Sequence, residues 1–223
     1  MVDGLPTYSF SISGQPCVLV TSGMGLRRAH RATQILMDKF PLVKLISFGI
    51  AGAVAEDLDI GDVVLAEAFC QLEQGSPGKI SKLSEWPATA QAAMQAALAL
   101  RERHLYTGTA ITTAGSQASS TQLSGILHPV LEMETAGIAQ AAAPRGTPLL
   151  SLRAISDGPR APIPLDLTTV MDEDANLMAS RLLMAVIRNP RILLQSGKLL
   201  RNTAIAVENA ALALSAALSQ WGD

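Results

Sequence analysis

Val130-Leu131-Glu132-Met133-Glu134-Thr135-Ala136-Gly137 and Leu149-Leu150-Ser151-Leu152-Arg153-Ala154-Ile155-Ser156-Asp157-Gly158 decide how this chain folds. Each is an apolar run that ends in a carboxylate. The first passes directly into an Ala-rich segment, Thr135 to Ala143, that reads as a helix. The second stops at Asp157-Gly158-Pro159. Desolvating a carboxylate at the end of a buried strand is costly, so its presence points to a ligand or a partner. The carboxyl ends of strands are also where open α/β sheets bind small molecules.

The same alternation extends outward in both directions. Tyr8 to Ile12 reads as an edge strand and Cys17 to Thr21 as a buried one. Ser22-Gly23-Met24-Gly25 then makes a strand-to-helix turn, where glycine permits positive φ or close approach by a ligand. Leu26 to Phe40 is a helix stopped by Pro41. Val43 to Phe48 is a second buried strand ending in Gly49-Ile50-Ala51-Gly52, and Ile60-Gly61-Asp62-Val63-Val64-Leu65 turns into a third. Gln71 to Glu85 reads as a surface loop, Pro87 to His104 as a helix, and Leu105 to Thr113 as a strand. Ala114 to Ser124 is small and polar, a loop over the site. Asp157 to Leu167 holds Pro159, Pro162 and Pro164 and is irregular. The chain reads as helical from about Asp172.

Strands alternating with helices predict a three-layer α/β/α fold. Its central sheet is mixed and mainly parallel, flanked by helices, with a C-terminal helical extension. One domain over 1–223, with 172–223 as its helical tail, suits the length.

The 48% hydrophobic and 16% charged content describes a compact protein. A net charge of -2 argues against nucleic acid as a partner. Cys17 and Cys70 stand apart, without the spacing of a metal site, so reduced thiols, no metal and a cytoplasmic setting are expected. The residues after Met1 lack the basic and apolar regions of a secretory leader.

Each motif admits two readings. Gly49 to Gly52 packs strand against helix, or offers backbone N–H groups to an anion or a water. Gly23 to Gly25 opens a helix whose first turns carry Arg27, Arg28 and Arg31, cations that oppose the helix dipole unless an anion relieves them. Glu134 caps the following helix or faces a ligand. Asp157 starts a turn with Gly158 and Pro159, or serves chemistry.

Taken in order, Ser22 to Gly25, Gly49 to Gly52 with Ile60 to Val64, Glu132 to Ala139, and Arg153 to Asp157 resemble the purine nucleoside phosphorylase and nucleosidase superfamily. The resemblance covers roughly Tyr8 to Asp157. The tail, with Arg188-Asn189-Pro190-Arg191, is most similar to the hopanoid-associated phosphorylases. The resemblance implies cleavage of the N-glycosidic bond of a 5′-substituted adenosine by phosphate or water. Inorganic phosphate would be the only co-substrate, with no cofactor. An adenosylhopane-like compound is the leading substrate, and a methylthioadenosine/adenosylhomocysteine nucleosidase is the alternative. It assigns Asp157 as the acid that protonates the leaving base, with Ser156 orienting it. Glu134 accepts the ribose hydroxyls, Met133 lines the sugar, and Gly25, Gly49, Ile50, Ala51 and Gly52 surround the phosphate or water. A homodimer is expected. The superfamily opens with a further strand and a Gly/Glu-bearing loop that helps place the nucleophile, and these residues contain no counterpart of it. Ile50 also stands where several nucleosidases carry a hydroxyl. A nucleoside-binding protein without turnover is therefore the reading from a different class.

In the tail, Arg181, Arg188, Arg191, Lys198 and Arg201 fall in a stretch with no acid, after Asp172-Glu173-Asp174. Leu200, Val207, Ala211, Leu214, Leu218 and Trp221 recur at helical spacing and predict one buried stripe. The alternative is peripheral contact of a basic, apolar surface with an anionic membrane.

Overall fold

Leu45–Ala53 (β3) and Leu149–Asp157 (β9) carry few charges and pair in parallel, in register from Leu45 with Leu149 to Ala51 with Ile155. The computed structural model describes residues 1–114, 118–163, 184 and 191–221. Ahead of β3 come Thr7–Ile12 (β1), Gln15–Val20 (β2) and helix Leu26–Lys39 (α1). Between β3 and β9 lie Val63–Glu73 (β4), Ser76–Pro77 (β5), Ser81–Lys82 (β6), Ala88–Ala99 (α2), Leu105–Thr112 (β7), Pro129–Glu132 (β8) and Thr135–Ala142 (α3). Arg191–Ser219 (α4) follows.

The main sheet runs β4-β7-β8-β3-β9, and β9 returns to pair with β4. The sheet therefore closes on itself. β4 with β7, β7 with β8, and β3 with β9 are parallel. β3 with β8 and β4 with β9 are antiparallel, the two seams where the parallel groups meet. The expected mixed, mainly parallel sheet with flanking helices is present. β1 and β2 form a separate antiparallel hairpin, turned at Ser13 and Gly14, both at positive φ.

Alternation along β9 sets the layers. Leu150, Leu152 and Ala154 face α2 and α4, in a core with Trp86, Met94 and Leu98. The opposite face carries Leu149, which packs with Met37 and Ala142 beneath α1 and α3, and Ile155, which packs with Val64 and Val130. α1 and α3 approach closely because residue 137 is glycine: a Cβ there would lie 2.2 Å from the Leu26 carbonyl oxygen.

Three sequence expectations change. Gln71 to Glu85 is not all loop: β4 continues to Glu73, and β5 and β6 fold back onto it. The helix expected to His104 ends at Ala99. The buried stripe of α4 is the predicted one only in part: Leu214 and Trp221 pack against the core. Ala206, Asn209, Ala210, Ala213 and Ala217 are buried, whereas Leu200 and Val207 are 70% and 52% exposed. Small side chains let α4 lie close against the Ala-rich α2, and the larger leucine and valine are left outside. The tail expectations for 172–183 and 185–190, and residues 115–117 of the expected loop, lie outside the described residues. No described helix is long and apolar enough to cross a membrane.

Candidate active site

Thr112 ends β7 and Glu132 ends β8, and the two are cross-strand partners. The Thr112 hydroxyl donates to Glu132 Oε1 and accepts the Ala136 N–H at 3.0 Å. Glu132 Oε2 accepts the N–H groups of Glu134 (3.0 Å) and Thr135 (2.8 Å), the Thr135 hydroxyl (2.9 Å) and Arg153 Nη2 (2.7 Å). Arg153 projects inward from β9 and its Nη2 also reaches Ser47 Oγ at 2.7 Å. Arg153 and Glu132 are both buried, an ion pair sealed inside the protein. Burial pushes the Glu132 carboxyl up, but the Arg153 charge and the Thr112 hydrogen bond more than offset this, and it ends below its ordinary range.

Of the two readings of Glu134, the side-chain cap is not made. Residue 134 is the N-cap of α3, yet its side chain makes no capping bond. Glu132 and Thr112 satisfy the first N–H groups of the helix instead. The Glu134 carboxylate is released from the helix and accepts the Gly25 N–H at 2.9 Å and the Met133 N–H at 3.3 Å. Burial raises its pKa, the neighbouring Glu132 charge adds to that, and Arg153 and the two N–H groups pull part of the way back.

Asp157 ends β9, which lies across β3 from β8. The Ser156 hydroxyl lies 2.6 Å from Asp157 Oδ1, placed to donate to it, and 3.3 Å from the Ala51 carbonyl oxygen. Burial raises the Asp157 pKa and the Ser156 hydrogen bond lowers it by less, so the net shift is upward. The β3–β9 register slips between Ala51 and Gly52, which brings Gly52 opposite Asp157. The turn before β4 holds β9 two residues upstream of the acid: Gly61 N–H donates to Ile155 O (2.8 Å) and Ile155 N–H to Asp62 O (2.9 Å). Asn209 of α4 secures that turn through the Gly61 carbonyl at 2.9 Å.

Gly52 thus meets Asp157, and Gly25 meets Glu134. Gly49 to Gly52 is strand rather than the expected loop, and its backbone is laddered to β9. Ile50 packs against the core beneath α2 and α4. Sequence reasoning passed over Arg153, Thr112, Ser47 and Thr135 as site components. Among the described residues no group of three His, Cys, Asp or Glu side chains is placed to hold a metal. Cys17 and Cys70 are separate free thiols.

A buried carboxyl that favours its proton and a carboxylate held by backbone N–H groups are suited to donating a proton to one part of a ligand and accepting hydroxyls from another.

A family model described as the phosphorylase superfamily matches residues 2–188. The 5′-methylthioadenosine/S-adenosylhomocysteine nucleosidase of Shewanella denitrificans is 27% identical, over 74% of this chain and 79% of its own. That of Geobacillus kaustophilus is 30% identical over 66% of this chain and 68% of its own. The solved nucleosidase of the same description from Colwellia psychrerythraea, in complex with adenine, matches with a TM-score of 0.70 and 20% identity, over 99% of this chain and 85% of that one. The S. pneumoniae nucleosidase with the transition-state inhibitor MT-ImmA gives 0.66 and 25% identity, over 98% and 87%.

Proposed function

The chain belongs to the phosphorylase superfamily, and from that we infer that it cleaves the N-glycosidic bond of a 5′-substituted adenosine and releases adenine. The observation that carries this reading is Asp157, a strand-end carboxyl with a raised pKa, oriented by Ser156 and closed in by Gly52.

Breaking the bond leaves its electron pair on the base, and positive charge grows on the sugar. A proton from Asp157 to N7 lets the base leave neutral, which a carboxyl that retains its proton is suited to supply. Glu134 accepts the ribose hydroxyls and places negative charge near the developing cation. Met133, beside it, forms an apolar wall. Water completes the reaction by adding to the sugar carbon and losing a proton. The relatives' name, nucleosidase, supports water over phosphate. Their substrates carry a sulfur group at the 5′ position.

A lipid-like 5′ substituent is the second reading. Lys198, Leu200, Arg201 and Val207 are exposed on α4, a basic and apolar combination that favours contact with an anionic membrane. A homodimer belongs to the same proposal.

Adenine release is measured on methylthioadenosine and on adenosine bearing a long 5′-alkyl chain, with and without phosphate. Free sugar without phosphate is the expected product. Sugar 1-phosphate would replace water by phosphate, and no adenine from any member would overturn the reading in favour of a binding protein. Salt-sensitive sedimentation with anionic liposomes tests the membrane contact, and sedimentation velocity tests the dimer.

A further inference from the structure

Helix α3 begins at Thr135, so its second N–H is that of Ala136. Ser, Thr, Asp or Asn before a helix ordinarily caps these early N–H groups with its own side chain; Glu134 occupies that position and makes no such bond. Here the Ala136 N–H is taken by Thr112, a residue from another strand. The same hydroxyl donates its proton to Glu132. Thr112 is 1% exposed, and no water replaces it without rearrangement. The Glu134 carboxylate is thereby left to hold Gly25 and face the ligand.

We propose that Thr112 is a positioning residue for sugar recognition, fixing the start of α3 with Glu132 so that Glu134 is directed at the ribose hydroxyls. The proposal rests on the reading of Glu134 as the ribose acceptor. Without the Thr112 hydroxyl, the Ala136 N–H is left buried and unsatisfied, and Glu132 Oε1 loses its donor. The Glu132 carboxylate, which already holds the Glu134 and Thr135 N–H groups, then turns towards Ala136, the backbone at Glu134 shifts with it, and the Glu134 carboxylate lets go of the Gly25 N–H.

Thr112→Val keeps the shape and removes the hydroxyl, and Thr112→Ser restores it. The readout is the ratio of kcat/KM for a ribonucleoside to that for its 2′-deoxy analogue. A loss of fold alone lowers both together and leaves the ratio intact. We expect Thr112→Val to reduce the ratio about tenfold, the scale of one lost hydrogen bond. Thr112→Ser should recover it, with Glu134→Ala as the reference. Hydrogen exchange of the Gly25 amide, followed by NMR, should become faster in Thr112→Val. If Glu134→Ala lowers the ratio and Thr112→Val does not, Thr112 has no such role and the ribose reading stands. If Glu134→Ala leaves the ratio unchanged, the ribose reading fails. Should the valine variant not fold, Thr112→Ala takes its place.

Discussion

A Cβ on Gly52 would stand 2.6 Å from Oδ2 of Asp157. Two strand ends touch there with no room for a methyl group, and the oxygen involved is the one that Ser156 leaves unbonded. Gly52→Ala must therefore move the carboxyl proposed as the acid. Turnover should fall about 100-fold, the scale of an ångström's misplacement in a reacting group. Stability should fall by only about 1–3 kcal/mol. Gly197→Ala is the control, because a Cβ there meets nothing within 4 Å. Equal kcat values for the two variants would contradict the contact's catalytic meaning.

The pH dependence follows from the direction of the Asp157 shift. Burial lifts this carboxyl and Ser156 pulls it back in part. As the proton donor it works in its acid form, so adenine release holds at low pH and falls as pH rises through the raised pKa. Its linkage to folding has the same sign. The contribution to stability is complete below the unfolded-state pKa and is lost as pH climbs through the folded one. Ser156→Ala removes the lowering influence, so the falling limb of kcat should move to higher pH. A limb that stays in place would remove Ser156 from this role.

Arg153 and Glu132 give the opposite sign. The lowered Glu132 contributes stability above its unfolded pKa, and that contribution is lost as pH falls through the folded value. Arg153→Met strands a buried carboxylate, which costs about 3–5 kcal/mol. Burial then prevails, the carboxyl takes up a proton, and the variant should lose less stability at mildly acidic pH than at neutral pH. Urea unfolding of both proteins at the two pH values measures this. A deficit independent of pH would show that the charge of Glu132 is not what Arg153 offsets.

The carboxylates at strand ends were legible because hydrophobic runs betray buried strands, and an acid that closes one is conspicuous. One clear signal went unused. Arg153 sits inside the otherwise uncharged run from Leu149 to Ile155, and a charge on such a strand requires a buried partner. Glu132 was the acid to pair with it. The cap of α3 stayed undecided for a different reason: Thr112 is close only through the β7–β8 pairing, which local spacing does not encode. The seam between β4 and β9 was equally invisible, because alternation reveals a strand's faces but not its neighbours. On α4, Leu214 and Trp221 of the expected stripe reach the core, while the fully buried positions went mostly to alanines, which allow a closer approach.

The closed sheet also imposes an order in time. β9 is the strand that joins β3 on one side and β4 on the other, although Leu45 and Leu149 are far apart along the chain. During synthesis β3 and β4 emerge first and wait with bare edges, open to pairing with other chains. Contacts at such separation slow folding. Asp157 arrives only with the strand that completes the ring, so a nascent chain lacks the proposed acid until its sheet can close.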